Sequence, residues 1–320
     1  MTNKIIHRIL QNLNLPGLDD MLINKLKFSE LQSLLLHVFN RKVTKLDIAG
    51  LFREYRTNRL VQPSALDPRR LLELESGLFS LLPDNFTALE LSPVVPLGTS
   101  SLMGPVHQNN IISTIRNCEV ISDVTNVLAM ECAKRRINLL LLDKKSTTPV
   151  KLATAQRQMR TQSIQDINFT PHFTIFALCT AGRDEGSDRF EQSALLEHIG
   201  FYFRIIDELI NPDLIRKKTL KIYDYDETNN SVLFDAVNTI MRMEQGIELV
   251  IDHKSEYGRN YYRRMRFMIN LTNKRGQSYD LIDGGFTNWT SELMKNNKER
   301  LMTSGIGTEL LLKTLLLEHL

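Results

Sequence analysis

The segment LMTSGIGTELLLKTLL, residues 301–316, has the pattern of a short buried strand that turns through two glycines into an apolar helix. Because glycine lets a ligand approach the backbone closely, we expect a ligand to rest on the turn at Gly305 and Gly307. The position after Glu309, where a nucleotide site would carry a cation, holds Leu310. The segment therefore predicts a ligand-binding turn in which the expected positive charge is replaced by an apolar side chain.

The composition is that of a globular chain with a full hydrophobic core. Hydrophobic residues make up 42% and charged residues 24% of the 320 residues, enough for one large domain or a domain with an appendage. Forty basic against 37 acidic residues leave a net charge of +3. This charge is too small and too dispersed to indicate a nucleic-acid surface.

The sequence shows no sign of export, membrane insertion or a structural metal. Cys118, Cys132 and Cys179 are far apart and form no C-x-x-C pair, which argues against a disulfide framework and a zinc site. The segment 1–17 lacks the apolar run of a signal peptide, and no stretch approaches the ~18 apolar residues of a membrane span. We expect a cytoplasmic protein with no membrane contact and no tightly bound metal.

The first part of the chain has a helical pattern. Apolar residues recur at three- and four-residue spacing from residue 3 to about residue 60. The segment RLVQPSALDP, 59–68, carries two prolines in a polar context and predicts a linker. We therefore predict a helical N-terminal extension at 1–60 and a larger domain at 61–320.

The larger domain mixes helices with strands. Helices are predicted at 71–83, 126–136, about 188–210 and about 231–244, and strands at 87–96, 119–123, 150–159, 172–180, 219–225, 261–271 and 278–285. Strands 150–159 and 172–180 are expected to form one antiparallel hairpin, and 261–271 and 278–285 a second. Hairpins with segregated helices predict an α+β fold with a mostly antiparallel sheet.

The segment YYRRMRFMINL, 261–271, alternates in the manner of a half-buried strand. One face is expected to carry Tyr261, Arg263, Met265, Phe267 and Ile269. The other face is expected to carry Tyr262, Arg264, Arg266 and Met268.

The common signatures of phosphate binding, metal binding and serine catalysis are missing. The sequence contains no G-x-x-x-x-G-K-[ST], no strand-linked G-x-G-x-x-G, no H-x-x-H or H-E-x-x-H, and no G-x-S-x-G. What remains is a series of glycine-bearing strand ends, GRNYY (258–262), DGGFTNW (283–289) and SGIGTE (304–309). Each alone is typical of an ordinary turn, so the information lies in their order.

In this order the segments resemble the catalytic core of class II aminoacyl-tRNA synthetases, most closely histidyl-tRNA synthetase and the regulatory subunit of ATP phosphoribosyltransferase. That family carries G-L-D-Y-Y, then G-G-R-Y-D, then G-x-G-x-E-R. Here stand GRNYY at 258–262, GGFTN at 284–288 and GIGTEL at 305–310. PVKLATAQRQMRTQ (149–162) followed by HFTIFALC (172–179) is similar to motif 2 of the family. The resemblance covers roughly residues 69–320.

The resemblance implies a six- or seven-stranded sheet flanked by helices, a homodimer formed through residues 71–96, and ATP with Mg²⁺ as cofactors. By position, it assigns nucleotide binding to Arg160, Gln162, His172, Phe173, Gly307 and Glu309. It assigns ligand binding to Asp123, Thr125, Tyr257, Tyr261, Tyr262, Gly284 and Gly285.

Two of these positions match the chemistry that activation of a carboxylate by ATP requires. A guanidinium is always charged and donates in pairs, so Arg160 suits the phosphates and is the candidate catalytic residue. An aromatic ring such as Phe173 suits the adenine base. Each also has a plain structural interpretation, because Arg160 can be a solvated charge at a strand end and Phe173 can be a core residue.

Other positions depart from the family. Leu310 replaces the arginine of motif 3, Gln162 replaces a glutamate of motif 2, and Tyr257 stands where histidyl enzymes have a second catalytic arginine. Removing one preorganised stabiliser of transition-state charge typically costs on the order of 10²–10³ in rate. We therefore expect little adenylation unless other cations compensate. The candidate cations, which are equally well explained as solvated surface charges, are Arg259, Arg263, Arg264 and Arg300.

Recognition of free histidine is not expected. Ile175 and Cys179 occupy positions where histidyl enzymes place a glutamine and a glutamate. An apolar wall leaves a buried polar ligand without partners, at a cost of about 1–3 kcal/mol per group.

Two functional hypotheses remain, with a purely structural role as a third. Little chain follows Glu318, so we expect no anticodon-binding domain and no charging of tRNA by this chain alone. The first hypothesis is a regulatory or degenerate paralogue that binds a small amino-acid-like ligand, with or without a nucleotide, and acts on a protein partner. The second is an ATP-dependent ligase that activates a small carboxylate as an acyl-adenylate. The two missing cations favour the first hypothesis, and Arg160 favours the second.

Overall fold

The secondary structure largely follows the sequence pattern. The computed structural model describes residues 2–162, 170–226 and 231–316. The strands within them are β1 (Thr87–Ala88), β2 (Val94–Pro96), β3 (Cys118–Val120), β4 (Val150–Met159), β5 (His172–Arg183), β6 (Ile215–Asp224), β7 (Ile247–Asp252), β8 (Arg263–Asn273), β9 (Ser278–Thr287) and β10 (Glu299–Gly307). The helices are α1 (Thr2–Leu13), α2 (Leu18–Lys25), α3 (Phe28–Val43), α4 (Ile48–Thr57), α5 (Pro68–Ser80), α6 (Thr99–Met103), α7 (Val124–Leu142), α8 (Arg189–Leu209), α9 (Ser231–Met243), α10 (Trp289–Met294) and α11 (Thr308–Leu311).

The described part of the chain forms one large mixed sheet. Its eight strands lie in the order β1-β4-β5-β10-β9-β8-β6-β7, while β2 and β3 form a separate ribbon. Neighbouring strands are antiparallel except at the two edges, where β1 is parallel to β4 and β7 is parallel to β6. The predicted α+β class with a mostly antiparallel sheet is confirmed. Eight strands are present instead of six or seven because these short parallel strands extend both edges.

Both predicted hairpins form. β4 pairs antiparallel with β5 along its full length, from Val150 opposite Ala181 to Met159 opposite His172. β8 pairs antiparallel with β9, with register shifts between Arg263 and Arg266 and between Ile269 and Asn270. The four predicted helices of the larger domain correspond to α5, α7, α8 and α9. Periodicity does not predict α6 and α10, because five or six residues span too few turns to show a pattern.

Two predicted strands differ from the structure. The segment 87–96 is not one strand, because β1 and β2 belong to different sheets and Pro93 between them has no N–H to donate to a ladder. The alternation predicted for 261–271 is interrupted near its start. Arg264 has a φ of 59°, and the pairing with β9 shifts between Arg263 and Arg266, so the strict alternation begins only after this irregularity.

The two faces of the sheet are covered differently. Helices α5, α8, α9 and α11 pack on one face, around Phe176, Tyr202 and Phe267, and we call this the α8 face. Helix α7 and Trp289 at the start of α10 pack on the opposite face around Cys179, and we call this the α7 face. A cavity lies there.

The N-terminal helices lie outside this core. Helices α2, α3 and α4 contain no buried residue. The linker after them contacts the core, because the Ser64 hydroxyl lies 3.2 Å from Oε2 of Glu309 and the Gln62 carbonyl lies 2.7 Å from Nε2 of His172. The division of the chain near residue 61 stays a prediction. Among the described helices, none has both the length and the apolar composition that crossing a bilayer requires.

Candidate ligand-binding site

A cavity of about 430 Å³ opens on the α7 face. Its walls come from the start of α7, the end of β4, the segment between β7 and β8, and strands β8, β9 and β10. Ile175 and Gly305 form part of its floor. The cavity brings together these predicted site residues: Asp123, Thr125, Arg160, Gln162, Tyr257, Tyr261 and Tyr262.

Asp123 holds the start of α7 and faces the cavity. Its Oδ1 accepts hydrogen bonds from the Thr125 amide at 3.0 Å and from the Thr125 hydroxyl at 2.6 Å, as an N-cap aspartate does. The Tyr261 hydroxyl donates to Oδ2 at 2.8 Å. Burial, and then the charge of Asp123, raise the pKa of Tyr261 well above its ordinary value, so the phenol stays protonated and remains a donor.

Arg160 lines the cavity from the end of β4. Its Nε donates to the Ser122 carbonyl at 3.0 Å, and its guanidinium lies 5.6 Å from the ring centre of Phe173. In residues 2–162, 170–226 and 231–316, neither Arg160 nor Asp123 forms an ion pair. The cavity therefore contains one positive and one negative group whose charges a ligand can neutralise.

The sequence did not single out Arg266 and Asp283, which also line the cavity. Nε of Arg266 lies 2.7 Å from Oδ1 of Asp283, and Nη2 lies 3.1 Å from Oδ2. Burial raises the pKa of Asp283 above its ordinary value, although the Arg266 charge acts in the opposite direction. The rings of Tyr223, Tyr257 and Tyr262 stand 5.0, 4.6 and 5.6 Å from the guanidinium of Arg266. The sequence feature that could have revealed this pair is the presence of one charge of each sign within two neighbouring, mainly apolar strands.

His172 and Glu309, both predicted to bind a nucleotide, do not line the cavity. Nδ1 of His172 lies 2.8 Å from Nη1 of Arg157, and Oε1 of Glu309 lies 2.6 Å from Nη2 of the same arginine. Successive residues of a strand point to opposite faces. Phe173 is on the α7 face beside Arg160, and its neighbour His172 therefore points to the α8 face.

Two of the predicted glycines, Gly284 and Gly285, allow close packing within the sheet. A Cβ at Gly284 would lie 2.5 Å from Cβ of Ser304, so this position permits close packing within the sheet. A Cβ at Gly285 would lie 2.7 Å from the Met265 carbonyl and 2.8 Å from the Tyr262 ring. Glycine at 285 thus lets Tyr262 lie directly against β9. Gly307 is near Leu310, whose Cβ would be 3.4 Å from a Cβ added to the glycine.

The cations that were candidates to replace the missing arginines have other partners. Arg259 pairs with Glu256 at 2.5 Å. Arg264 pairs with Asp188 at 2.8 Å, and Arg300 with Asp184 at 2.7 Å and with Glu191 at 3.0 Å. Arg263 does not line the cavity.

Among the described residues, the cavity offers few unpaired cations for the phosphates of a nucleotide. Arg266 is neutralised by Asp283, so Arg160 is the one cavity cation in the described residues that lacks a carboxylate partner. The same residues contain no group of three His, Cys, Asp or Glu side chains placed to hold a metal ion. A triphosphate needs several cations or dipoles around its phosphates, and its Mg²⁺ is held by one or two carboxylates together with the phosphates themselves.

Solved structures share this arrangement of sheet and helices. Apo histidyl-tRNA synthetase from S. aureus matches with a TM-score of 0.57 and 15% identity, over 79% of this chain and 69% of that one. The chain has the fold of a class II aminoacyl-tRNA synthetase core.

Two further structures of this class II fold are similar to the chain. An ATP phosphoribosyltransferase regulatory subunit/histidyl-tRNA synthetase from Bacillus halodurans has a TM-score of 0.53 and 10% identity, over 80% of this chain and 82% of that one. The RNA binding domain of threonyl-tRNA synthetase from Cryptosporidium parvum has a TM-score of 0.56 and 11% identity, over 78% and 65%. No protein-family model and no curated protein matches the sequence. The similarity to class II aminoacyl-tRNA synthetases is therefore a similarity of fold.

Proposed function

We propose that this protein binds a small amino-acid-like ligand in the cavity on the α7 face and does not charge tRNA by itself. One observation carries the proposal: Asp123 and Arg160, two charges of opposite sign without ion-pair partners among the described residues, line the same cavity. The ammonium group of an α-amino acid suits the carboxylate, and its carboxylate suits the guanidinium, because charge-assisted hydrogen bonds are the strong ones.

The ligand acts as a regulatory signal in this proposal. Leu310 stands in place of a cation, and His172 and Glu309 are bonded to Arg157 away from the cavity. Each feature weakens the nucleotide part of the site and leaves the amino-acid part. The binding state of the cavity would then be transmitted to a protein partner.

We also propose that the protein is a homodimer through residues 71–96. Apolar side chains in this region remain exposed, 65% for Leu72 and 37% for Val94. Burying them against a second copy removes apolar surface from water. Sedimentation at micromolar concentration should show a dimer, and a monomer would contradict this part of the proposal.

An ATP-dependent ligase is the second candidate. The contact between Arg160 and Phe173, at 5.6 Å, favours it because it places a cation beside a ring that could stack on a base. This ligase would need further cations from outside the cavity. The regulatory function is the better supported of the two.

Two measurements test the proposed function. Calorimetric titration with each of the proteinogenic amino acids should give binding for at least one of them. Pyrophosphate exchange with the same amino acid and ATP should give no signal above background. Exchange that disappears in Arg160→Ala would establish the ligase instead, and the absence of binding for all amino acids would overturn the proposal.

A further inference from the structure

Another cavity, of about 540 Å³, lies at the edge of the sheet beside β1. The last turns of α7 form one wall, to which they contribute Arg135, Asn138, Leu139 and Leu142. The last three lie three, four and seven residues after the first, so all four share one face of the helix. The segment 148–152 at the start of β4 forms another wall, and Asn85 and Thr87 complete the lining. We call this cavity the edge groove.

Apolar side chains around the edge groove are exposed to water. Leu142, which lines the groove, is 88% exposed, and its neighbours Leu141 and Ile137 are 78% and 44% exposed. Strand β1 pairs only with Leu152 and Ala153 of β4, so within the described residues no strand lies beside the first two residues of β4. Exposed apolar side chains beside an open strand edge are typical of a surface that another chain covers.

Charges of opposite sign flank the edge groove. Residues 71–96 contain four acidic residues and no lysine or arginine, whereas residues 134–151 contain six basic residues and one acidic residue. Asn85 and Thr87 in the groove belong to the acidic segment, and the α7 and β4 walls belong to the basic one. These exposed side chains form no ion pair among the described residues: Asp84 and Glu90 on the acidic side, and Lys144 and Lys145 on the basic side.

This arrangement of charges makes the surface complementary to itself. In a two-fold symmetric dimer the same patch of both copies forms the interface. A two-fold axis that runs along the groove lays the acidic side of each copy over the basic side of the other copy. An acidic or a basic partner protein would match only one side of the groove. A second copy of this chain matches both sides, and it is therefore the occupant that the charges favour.

We propose that the edge groove is the contact surface of the homodimer. Each copy places its exposed Leu142 in the groove of the other copy, which removes apolar surface from water. Asp84 and Glu90 of one copy face Lys144 and Lys145 of the other, and these charges fix the orientation of the two copies. The inference rests on the proposed homodimer through residues 71–96, because it extends that interface to the end of α7.

A substitution at Leu142 tests the apolar contact. Leu142→Asp should raise the dissociation constant of the dimer about tenfold or more, because a buried leucine is lost from each copy. Sedimentation over a range of protein concentrations measures the constant. Met243→Asp is the matched control, since Met243 is also the last residue of its helix, is 73% exposed and precedes β7 at the opposite edge of the sheet. Equal dissociation constants in the two variants would overturn the proposal.

Two double charge reversals test the orientation without changing Leu142. One variant carries Asp84→Lys and Glu90→Lys, and the other carries Lys144→Glu and Lys145→Glu. Each variant alone places like charges opposite each other and should dimerise about tenfold more weakly than the intact protein. In an equimolar mixture, unlike charges face each other on both sides of a heterodimer, so association should recover.

A control mixture shows whether the recovery is specific to the groove. It combines the Asp84→Lys and Glu90→Lys variant with Lys274→Glu, a reversal in the turn between β8 and β9. This mixture should show no recovery. A recovery of the same size in the control mixture, or none in the complementary mixture, would overturn the proposed orientation.

The failures of the separate proposals give different results. An intact protein that is a dimer, and remains one in every variant, would overturn the edge groove alone. An intact protein that is a monomer at micromolar concentration would overturn the proposed homodimer together with the groove. None of the substituted residues lines the cavity on the α7 face, so all variants should keep the amino acid affinity of the intact protein. The absence of amino acid binding would overturn the ligand proposal and leave the dimer contact standing.

Discussion

The hydroxyl of Tyr261 donates a hydrogen bond to Oδ2 of Asp123 at a distance of 2.8 Å. This contact joins the segment before β8 to the first turn of α7, across 138 residues of sequence. It fixes the carboxylate at the edge of the cavity and adds no positive charge. The negative charge of Asp123 therefore remains available to a ligand, although its oxygens are positioned by the protein.

Replacing Asp123 by asparagine isolates the contribution of this charge. Asparagine caps a helix about as well as aspartate, so the melting temperature of Asp123→Asn should change little. The affinity for the amino acid ligand should fall by about 30- to 150-fold, the effect of losing a hydrogen bond between charged groups worth about 2–3 kcal/mol. Calorimetry and thermal unfolding measure the two quantities. An unchanged affinity would show that the ammonium group binds elsewhere.

Two arginines three positions apart on the chain should behave differently. Arg160→Ala should weaken binding of the amino acid by about tenfold or more, because the ligand carboxylate loses its cation. The same variant should bind the corresponding amino alcohol as the intact protein does. Arg157→Ala is the matched control, because Arg157 pairs with the buried Glu309 away from the cavity. It should lower stability and leave the affinity unchanged, and equal losses of affinity in both variants would refute the assignment.

A buried ion pair should be important for stability. Nε of Arg136 lies 2.8 Å from Oε2 of Glu299, both side chains are fully buried, and the pair joins α7 to β10. Glu299→Ala leaves the guanidinium buried without its carboxylate and should lower the free energy of unfolding by about 3–5 kcal/mol. Lys134→Ala removes an exposed ion pair with Glu131 and should change the free energy of unfolding by less than about 1 kcal/mol. Urea unfolding of both variants makes the comparison, and similar small effects would contradict the prediction.

The stability of the fold should depend on pH through His198. The imidazole is fully buried between the hydroxyls of Thr180 at 2.9 Å and Ser304 at 2.7 Å. Burial, assisted by the charge of Lys151, lowers the pKa of His198 to about 3. Between the ordinary pKa near 6.5 and this value the unfolded chain takes up a proton that the folded protein does not. Stability conferred by the neutral ring is therefore complete above pH 6.5 and is lost as the pH falls.

The slope of the free energy of unfolding against pH tests the role of this histidine. Near pH 5, His198 alone should lower the free energy of unfolding by about 1.4 kcal/mol for each unit that the pH falls. His198→Gln keeps hydrogen-bonding atoms at this position and should reduce the slope by that amount. Urea unfolding at pH 4.5, 5.5 and 6.5 measures it, and equal slopes in the two proteins would rule out a buried neutral histidine.

The sequence predicted the pairing of strands better than the edges of the sheet. The hairpins β4–β5 and β8–β9 are long and apolar, so their patterns were clear. Strand β1 has two residues and cannot show a period, and β7 is half exposed. The irregularity at Arg264 could not be predicted, because it depends on backbone pairing with β9 and not on residue type.

Only part of the site could be predicted, because some of its residues depend on strand register and not on local sequence. Residues at helix starts and strand ends, such as Asp123 and Arg160, carry signals in their local sequence. The pair of Arg266 and Asp283 depends on the register of two strands, which periodicity alone does not fix. His172 was assigned by analogy to the side of the sheet that its neighbour Phe173 occupies, and the two-residue period of a strand places it on the other side.

A crystal structure of the protein with the tightest-binding amino acid tests the central claim most directly. We predict that the ligand lies on the α7 face, with its carboxylate about 3 Å from the guanidinium of Arg160 and its ammonium about 3 Å from the carboxylate of Asp123. A ligand bound outside this cavity, or one that contacts neither residue, would contradict the account.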